Sequence, residues 1–416
     1  MNANVLIVGY IIFWIILYSF YVAKYRFKIT FTSFCFLYYA LAAVFSLFLY
    51  NFSNGLFRTY DRITIYPFIY LSICYLVSFM PTYFYEKQGC KIGVNKAQYQ
   101  IIDILSIILS ICAVLPFFES LIQLPSSLSS TAVANVYDRR LMGIETSDYL
   151  SWISRKFYYI IMLSSLLVPI CLFLQINKKR KNKYVIFCLI LCVVVNAMHE
   201  MIRGSRSGLV QNMMYLLAVY LLFRNNLEKK IQAWVKFWGL FIAGISVSTM
   251  MIVSISRFST HQNRNLGNVY EWMSVYAGEG IINFNNDLWY IKGSTGGYRT
   301  CSFFMGLKDG KMPSVSDIWD GGDKLGVYGN IFYTWVGEFF FDYGKYYTLP
   351  MIILLSFFVT FLTNYKFKIN IVNFILLCVW AKILIVGPIF YTYTTVQSQI
   401  ELLVCLFFCM ILQIKK

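Results

Sequence analysis

Charge is scarce in this chain. Only 13% of the 416 residues are Asp, Glu, Lys or Arg, while 59% are hydrophobic. That is about half the charge of a soluble globular domain and argues against a water-soluble fold. The short alternating segments of barrel strands are missing too. Ile101–Leu115, Tyr184–Val195 and Met351–Leu362 are almost continuously apolar, so helices rather than a barrel must do the spanning. No Cys-x-x-Cys pair occurs among the eleven cysteines, and all but Cys90 and Cys301 fall inside apolar runs. A thiol there acts as a small hydrophobe, so neither a disulfide framework nor sulfur-bound metal is expected. The N-terminus lacks the positive segment of a secretory signal, and its first apolar run is too long for one, so it reads as a retained helix. Internal repeats and low-complexity tracts are absent.

What is present is a series of apolar runs near twenty residues, each long enough to cross a hydrocarbon core of about 30 Å at 1.5 Å per residue. The predicted spans are Asn4–Ala23, Phe31–Tyr50, Ile63–Tyr83, Ile101–Gln123, Phe157–Ile176, Tyr184–Ile202, Ser207–Phe223, Trp234–Ile255, Tyr346–Thr363, Ile371–Tyr391 and Gln399–Ile414. The expected fold class is therefore an all-α polytopic membrane protein with about eleven transmembrane helices. Lysine clusters at Lys24–Lys28, Lys87–Lys96, Lys178–Lys183, Arg224–Lys230, Lys366–Lys368 and Lys415–Lys416 fall on one side if the N-terminus is outside. Excess Lys and Arg mark cytoplasmic connections, so the N-terminus is expected on the outer, periplasmic side and the C-terminus in the cytoplasm. The net charge of +17 then reflects topology. No basic module stands clear of the spans, and nucleic acid is not an expected partner.

This topology divides the chain into a membrane domain over 1–255 (spans 1–8, with a periplasmic segment at 124–156), a large periplasmic loop over 256–345, and a second membrane domain over 346–416 (spans 9–11). The segment 124–156 contains Asp138, Arg139, Arg140, Tyr149 and Trp152 and reads as an amphipathic stretch at the interface. Loops as long as 256–345 usually carry function. Ten of the thirteen arginines lie on the predicted outer side, with nearly all of the acids. Arg grips phosphate bidentately and keeps its charge when partly desolvated, so this enrichment suggests either a polyanion handled at that face or salt bridging within the outer loops.

Four constellations stand out. His199-Glu200-Met201-Ile202-Arg203-Gly204-Ser205-Arg206 fills a very short outer turn between spans. Two guanidinium groups three residues apart, beside small residues, suit a lipid-linked pyrophosphate; alternatively they snorkel to headgroups. Gly293-Ser294-Thr295-Gly296-Gly297-Tyr298-Arg299 either cradles a phosphate or sugar or is a structural turn, and no Walker Gly-Lys-Ser/Thr follows. Asn330–Thr334 leads to Glu338, Asp342, Tyr343 and Gly344. As a helix dipping into the outer leaflet it places Glu338 and Asp342 on one face, with Tyr333 and Trp335 near for stacking on a sugar. A carboxylate there suits a general base, and an interfacial aromatic belt is the plainer alternative. Asp317, Asp320 and Asp323 lack the closing Glu of a calcium loop and read as a solvated turn, so no metal site is expected. Arg257, Arg264, Glu271 and Glu279 open the same loop, with roles that spacing does not separate.

On these residues the chain resembles the oligosaccharide repeat-unit polymerases, the Wzy-type O-antigen polymerases of bacterial inner membranes. Arg203-Gly204-Ser205-Arg206 between two middle spans carries the resemblance. So do Gly329-Asn330-Ile331-Phe332-Tyr333-Thr334 and Phe341-Asp342-Tyr343-Gly344 before a late span. The resemblance implies a GT-C-like fold with a large late periplasmic loop and an inverting, metal-independent glycosyltransferase without cofactor. Its substrate would be undecaprenyl-pyrophosphate-linked oligosaccharide, and its partners membrane lipid and a chain-length regulator. Arg203, Arg206, Arg299 and Arg257 would then hold the pyrophosphate. Glu338, Asp342 and His199 are the alternatives for the base on the acceptor hydroxyl. An O-antigen ligase shares the donor, and a lipid-linked oligosaccharide flippase moves it without making bonds.

The topology is tested by terminal reporters. A fusion before Asn4 is expected to be active only in the periplasm and one after Ile414 only in the cytoplasm; a cytoplasmic N-terminus overturns the assignment and favours the flippase.

Overall fold

The computed structural model describes residues 2–26, 28–52, 59–127, 149–203, 206–239, 244, 269–363 and 368–414. The chain is helical nearly throughout. Its helices are α1 (Ala3–Lys24), α2 (Phe31–Phe52), α3 (Ile65–Ser78), α4 (Met80–Gln88), α5 (Lys96–Ser127), α6 (Trp152–Leu163), α7 (Val168–Asn177), α8 (Lys183–Ile202), α9 (Arg206–Phe223), α10 (Val269–Asn286), α11 (Ser302–Asp309), α12 (Val315–Asp323), α13 (Thr334–Thr363), α14 (Ile371–Val386) and α15 (Val396–Ile414). Two three-residue strands, Lys91–Gly93 and Lys368–Asn370, are the only ones among the described residues.

Seven helical segments among the described residues are long and apolar enough to cross a membrane: α1, α2, α3 with α4 as Ile65–Gln88, α5, α8, α13, and Val396–Gln413 of α15. The pair α6 and α7, bent by 77° at its break, makes an eighth if it is one span. This is an all-α multi-pass membrane protein. Of the other predicted spans, Ser207–Phe223 corresponds to α9, which carries Arg206, Gln211 and Asn212. Ile371–Tyr391 corresponds to α14, whose 16 residues rise only about 24 Å, short of a full hydrocarbon core. Trp234–Ile255 lies largely outside the described residues.

The chain forms two compact units whose boundaries differ from the predicted division. Unit 1 comprises Met1–Cys90, Tyr270–Ile369 and Leu376–Leu402; unit 2 comprises Lys91–Val269, Asn370–Ile375 and Leu403–Lys416. The segment expected to be a large periplasmic loop over 256–345 belongs, from Tyr270 on, to unit 1. The reason is its apolar content: Phe284, Trp335 and Phe340 are buried among the rings of α3 and α14 rather than left in water.

In unit 1, α10 lies against α2 so closely that a Cβ on Gly278 would sit 2.3 Å from the Ser46 amide nitrogen, and the Ser46 hydroxyl donates to the Gly278 carbonyl at 2.6 Å. Aromatic rings fill the rest: Trp14, Tyr39, Tyr75 and Phe79 touch across α1 to α3, and Trp380 Nε1 donates to the Ser78 carbonyl at 2.8 Å. At one end of this unit the Tyr21 hydroxyl donates to Glu86, and Lys24 donates to the Tyr83 hydroxyl, both at 2.9 Å. The basic ends of α1 and α4 therefore meet.

Unit 2 has the same polarity of ends. Ile92 N donates to Asn226 at 2.9 Å, Lys178 pairs with Asp103, and Gln98 Nε2 reaches both Asn370 Oδ1 and the Leu412 carbonyl at 3.3 Å. The basic connections around Lys91–Lys96, Lys178–Lys183 and Arg224–Lys230 are gathered at that end. At the other end, Glu119 accepts from the Ser151 amide and hydroxyl at 2.8 and 2.6 Å, close to the C-terminus of α5.

Helix packing at Gly278 is directly testable. Gly278→Ala forces its new methyl into the α2 backbone and is expected to cost about 1–3 kcal/mol, read as a lower melting temperature of the detergent-solubilised protein. Gly9→Ala, with nothing within 4 Å, serves as the neutral control.

Candidate functional site

Two buried carboxylates of unit 1, Glu338 and Asp342, converge on Arg299. Its Nη1 donates to Glu338 Oε2 at 2.7 Å and its Nη2 to the Gly329 carbonyl at 2.8 Å, while the guanidinium carbon lies 3.9 Å from the centre of the Phe341 ring. The side chains of Arg299 and Glu338 are 2% and 5% exposed. At that depth neither charge is held without the other. Nε of Arg299 is buried with no hydrogen-bond partner.

Four residues from Glu338 and on the same helical face, Asp342 turns into the glycine-rich segment. Its oxygens accept from the Arg299 amide at 3.2 and 3.1 Å, the Thr300 amide at 2.6 Å, the Thr300 hydroxyl at 2.7 Å and the Thr295 hydroxyl. Gly296 and Gly297, at φ of 65° and 102°, let the chain turn back so that successive amides point inward, the arrangement of a backbone anion cradle. The anion it holds is the protein's own carboxylate. Of the two readings of Gly293–Arg299, the structure realises the turn.

The helix that carries both acids is broken. Gly344 adopts φ 69° and ψ −178° inside α13, separating a half-helix that begins at Thr334 from the longer segment ending at Thr363. Thr334 itself has φ 70°, a strained conformation for a β-branched residue. It is held there because its amide donates to the Ile389 carbonyl at 3.1 Å, the Trp335 amide donates to Gly387 at 2.9 Å, and its own hydroxyl accepts from Gly337 N at 3.1 Å. The donors a helix start normally leaves open are thus consumed. Tyr333 and Trp335, expected to stack on a sugar, are instead core rings: both are fully buried, Tyr333 edge-on to Phe341 and Trp335 against Tyr75, Phe339 and Trp380.

The remaining predicted catalytic and pyrophosphate-binding residues, His199, Arg203, Arg206 and Arg257, belong to unit 2. His199 is buried, with Nδ1 2.6 Å from the Tyr149 hydroxyl and its ring 4.0 Å, centre to centre, from Tyr158. Burial pushes the Tyr149 phenol up to about 12, so it stays protonated at neutral pH beside the imidazole. Arg203 caps α8, its amide bonded to the His199 carbonyl at 3.0 Å, with a half-buried side chain. Arg206 opens α9, but its side chain is outside the described residues, as are Gly204, Ser205, Arg257, Arg264 and Asp138–Arg140. Among the three aspartates read as a solvated turn, Asp317 forms a capping box with Ser314, whose amide and hydroxyl hold its carboxyl below the usual range. Asp323 accepts from Gly329 N at 3.0 Å.

Sequence reasoning missed the partners of these groups. Thr300 was not singled out, and Thr295 and Gly329, named within motifs, were given no role; all three complete the Arg299 cluster, and Asn283, Asn285 and Asn286 tie α10 to its neighbours. Asn283 donates to the Phe332 carbonyl at 3.1 Å, Asn285 exchanges bonds with the Thr64 amide and carbonyl at 2.9 and 2.8 Å, and Asn286 accepts from Arg62 N at 2.9 Å. Three asparagines within four residues at the end of an apolar helix were the available signal.

Because the Arg299 pair is buried, removing one partner strands the other. Glu338→Gln or Arg299→Met alone is expected to destabilise the protein by about 3–5 kcal/mol, and the double variant Arg299→Met with Glu338→Leu to recover much of the loss, followed by thermal unfolding in detergent. Comparison of the chain with protein-family models, with curated proteins and with solved structures returned no match, so the site stands on its own geometry.

Proposed function

We propose that this protein is a glycosyltransferase that polymerises undecaprenyl-pyrophosphate-linked O-antigen repeat units at the periplasmic face of the inner membrane. One observation carries the reading. The glycine-rich turn, the Gly329–Thr334 segment and the Phe341–Gly344 segment, separated in sequence, meet at Arg299, which bonds Gly329 and Glu338 and packs on Phe341. A half-helix with buried carboxylates, set beside a spanning segment, is an expensive feature that membrane proteins usually reserve for function.

In this reaction the acceptor hydroxyl attacks the anomeric carbon of the donor. The bond from that carbon to the diphosphate breaks, the pyrophosphate leaves with the electron pair, and the hydroxyl proton passes to a base. Arg203 and Arg206, with Arg257, supply the cations for the charge that develops on the leaving group. Arg299 acts differently from the expectation: it positions Glu338 instead of meeting the diphosphate. Glu338 and His199 are the two groups for the proton, since Asp342 is engaged by four donors. Within each unit the basic connections gather at one end, which supports a cytoplasmic face at that end.

The activity is tested with purified protein and synthetic undecaprenyl-pyrophosphate repeat units, and in cells on lipopolysaccharide gels. Arg203→Ala is expected to abolish chain extension while leaving membrane insertion normal, and Arg203→Lys to restore little of it, because an ammonium does not bind phosphate bidentately. Core capped with a single repeat unit is the expected deletion phenotype; bare core points to a ligase, and normal ladders from both variants remove Arg203 from the mechanism.

A further inference from the structure

Two cavities in unit 1 lie on opposite sides of one short turn. The 3-10 turn Leu288–Tyr290 presents Tyr290 to a polar cavity of about 370 Å³ and Trp289 to an apolar groove of about 410 Å³. Both volumes fall in the usual range for small-molecule sites.

The polar cavity is lined by Asp61, Arg62, Asp287, Tyr290 and Tyr328, together with Leu325–Val327. Its walls are fixed from two sides. Asn285 and Asn286 bind the backbone of Arg62 and Thr64, and the Tyr290 hydroxyl donates to the Arg62 carbonyl at 3.0 Å. On the other side, the strand of chain after Val327 reaches Gly329, whose carbonyl is held by Arg299. Asp61 and Arg62 themselves are exposed. Carboxylates, a guanidinium and phenol rings around one cavity are the groups that bind hydroxyls and stack on a sugar ring.

The groove has the opposite chemistry. Tyr66, Ile69, Tyr70 and Ile73 form one stripe of α3 with helical spacing, about 10 Å long at 1.5 Å per residue, and Trp289 is the facing wall. Ile69 and Ile73 stay 48% and 43% exposed on a helix that crosses the membrane, so the groove opens to hydrocarbon. At its edge Lys345 Nζ lies 3.9 Å from the centre of the Trp289 ring and forms no ion pair among the described residues. The Tyr70 hydroxyl fixes the backbone there by donating to the Lys345 carbonyl at 2.9 Å.

We infer that the two cavities together hold one amphiphile, a single-chain isoprenoid diphosphate bearing a sugar. It is placed as the acceptor, whose diphosphate is not the one that leaves: the chain lies in the α3 groove, the diphosphate meets Lys345, and the sugar enters the polar cavity. A single stripe on one helix accommodates one chain, and a cation at the edge of the groove is where a diphosphate gains most. The identity of chain and sugar rests on the proposed function; the separation into apolar, cationic and polar parts rests on the geometry alone.

The test is binding to the full-length protein in detergent, measured by native mass spectrometry with two probes: farnesyl diphosphate, and farnesyl diphosphate carrying one hexose on its terminal phosphate. Ile73→Trp, which fills the groove, and Lys345→Glu are each expected to weaken both probes about tenfold, the equivalent of one charge-assisted contact. Asp61→Ala with Arg62→Ala is expected to weaken only the hexose-bearing probe. Ile107→Trp, on a lipid-exposed stretch of α5, leaves both unchanged. Wild-type affinity in the Ile73 and Lys345 variants overturns the proposal, as does displacement of the probes by an equal concentration of the two-chain lipid phosphatidylglycerol. The readout is independent of catalysis. Loss of binding in a protein that makes no glycosidic bond sinks the polymerase reading and leaves the site, whereas chain extension with unaltered binding does the reverse.

Discussion

Burying a guanidinium inside a membrane protein carries a large desolvation cost, and the Arg299 cluster is the arrangement that offsets it. Glu338 supplies the opposite charge, Gly329 an acceptor and Phe341 a ring face, so the cation meets a partner on three sides. Asp342 then fixes the backbone on either side of the Arg299 amide. The half-helix that begins at Thr334, the glycine-rich turn and the loop ending at Gly329 all take their positions from this one set of contacts. Loosening it would free a positively strained Thr334, the wall of the polar cavity and both acids at once.

Side-chain amides do similar work where helices end. Asn285 and Asn286 satisfy the backbone of the segment before α3, and Gln399 Nε2 donates to the Thr300 and Tyr393 carbonyls at 3.1 and 2.9 Å while its oxygen accepts from Phe303 N at 2.9 Å. In a chain with so little charge, neutral amides meet the requirement that buried backbone polar groups be paired. They do so without the desolvation cost of a carboxylate. At the end of the glycine-rich turn they share the task with a carboxylate: Gln399 takes the Thr300 carbonyl, and Asp342 the Arg299 and Thr300 amides.

The proposed chemistry requires a cation on a leaving diphosphate and a base on a hydroxyl, and the protein separates the two kinds of task. Arginine at the end of α8 is half-buried and suited to bind a ligand. Arginine in the interior of unit 1 is paired and suited to hold other groups still. Exposure rather than residue type divides these roles.

The membrane class, most of the helices and the clustering of basic connections at one end of each unit were legible in the order of residues. Each depends on a local property: the length of an apolar run, or the sign of charge between two runs. Arg299, Glu338 and Asp342 were also legible as unusual, because charges are rare here. Their use was not, since spacing along the chain does not reveal whether a charge faces a ligand or another side chain. The same limit applied to Tyr333 and Trp335, whose rings suit a sugar as well as a core, and to the segment after Tyr270, whose apolar residues found partners on α2, α3 and α14 instead of forming a separate loop. Asp61, Trp289 and Lys345 carry no motif at all; only the packing of α3 against the turn at Leu288–Tyr290 makes them neighbours of a cavity. Composition settled the solvent in which this protein lives. Which of its few charges are struts and which remain open was decided by tertiary structure, because desolvation acts on where a group ends up and not on where it stands in the chain.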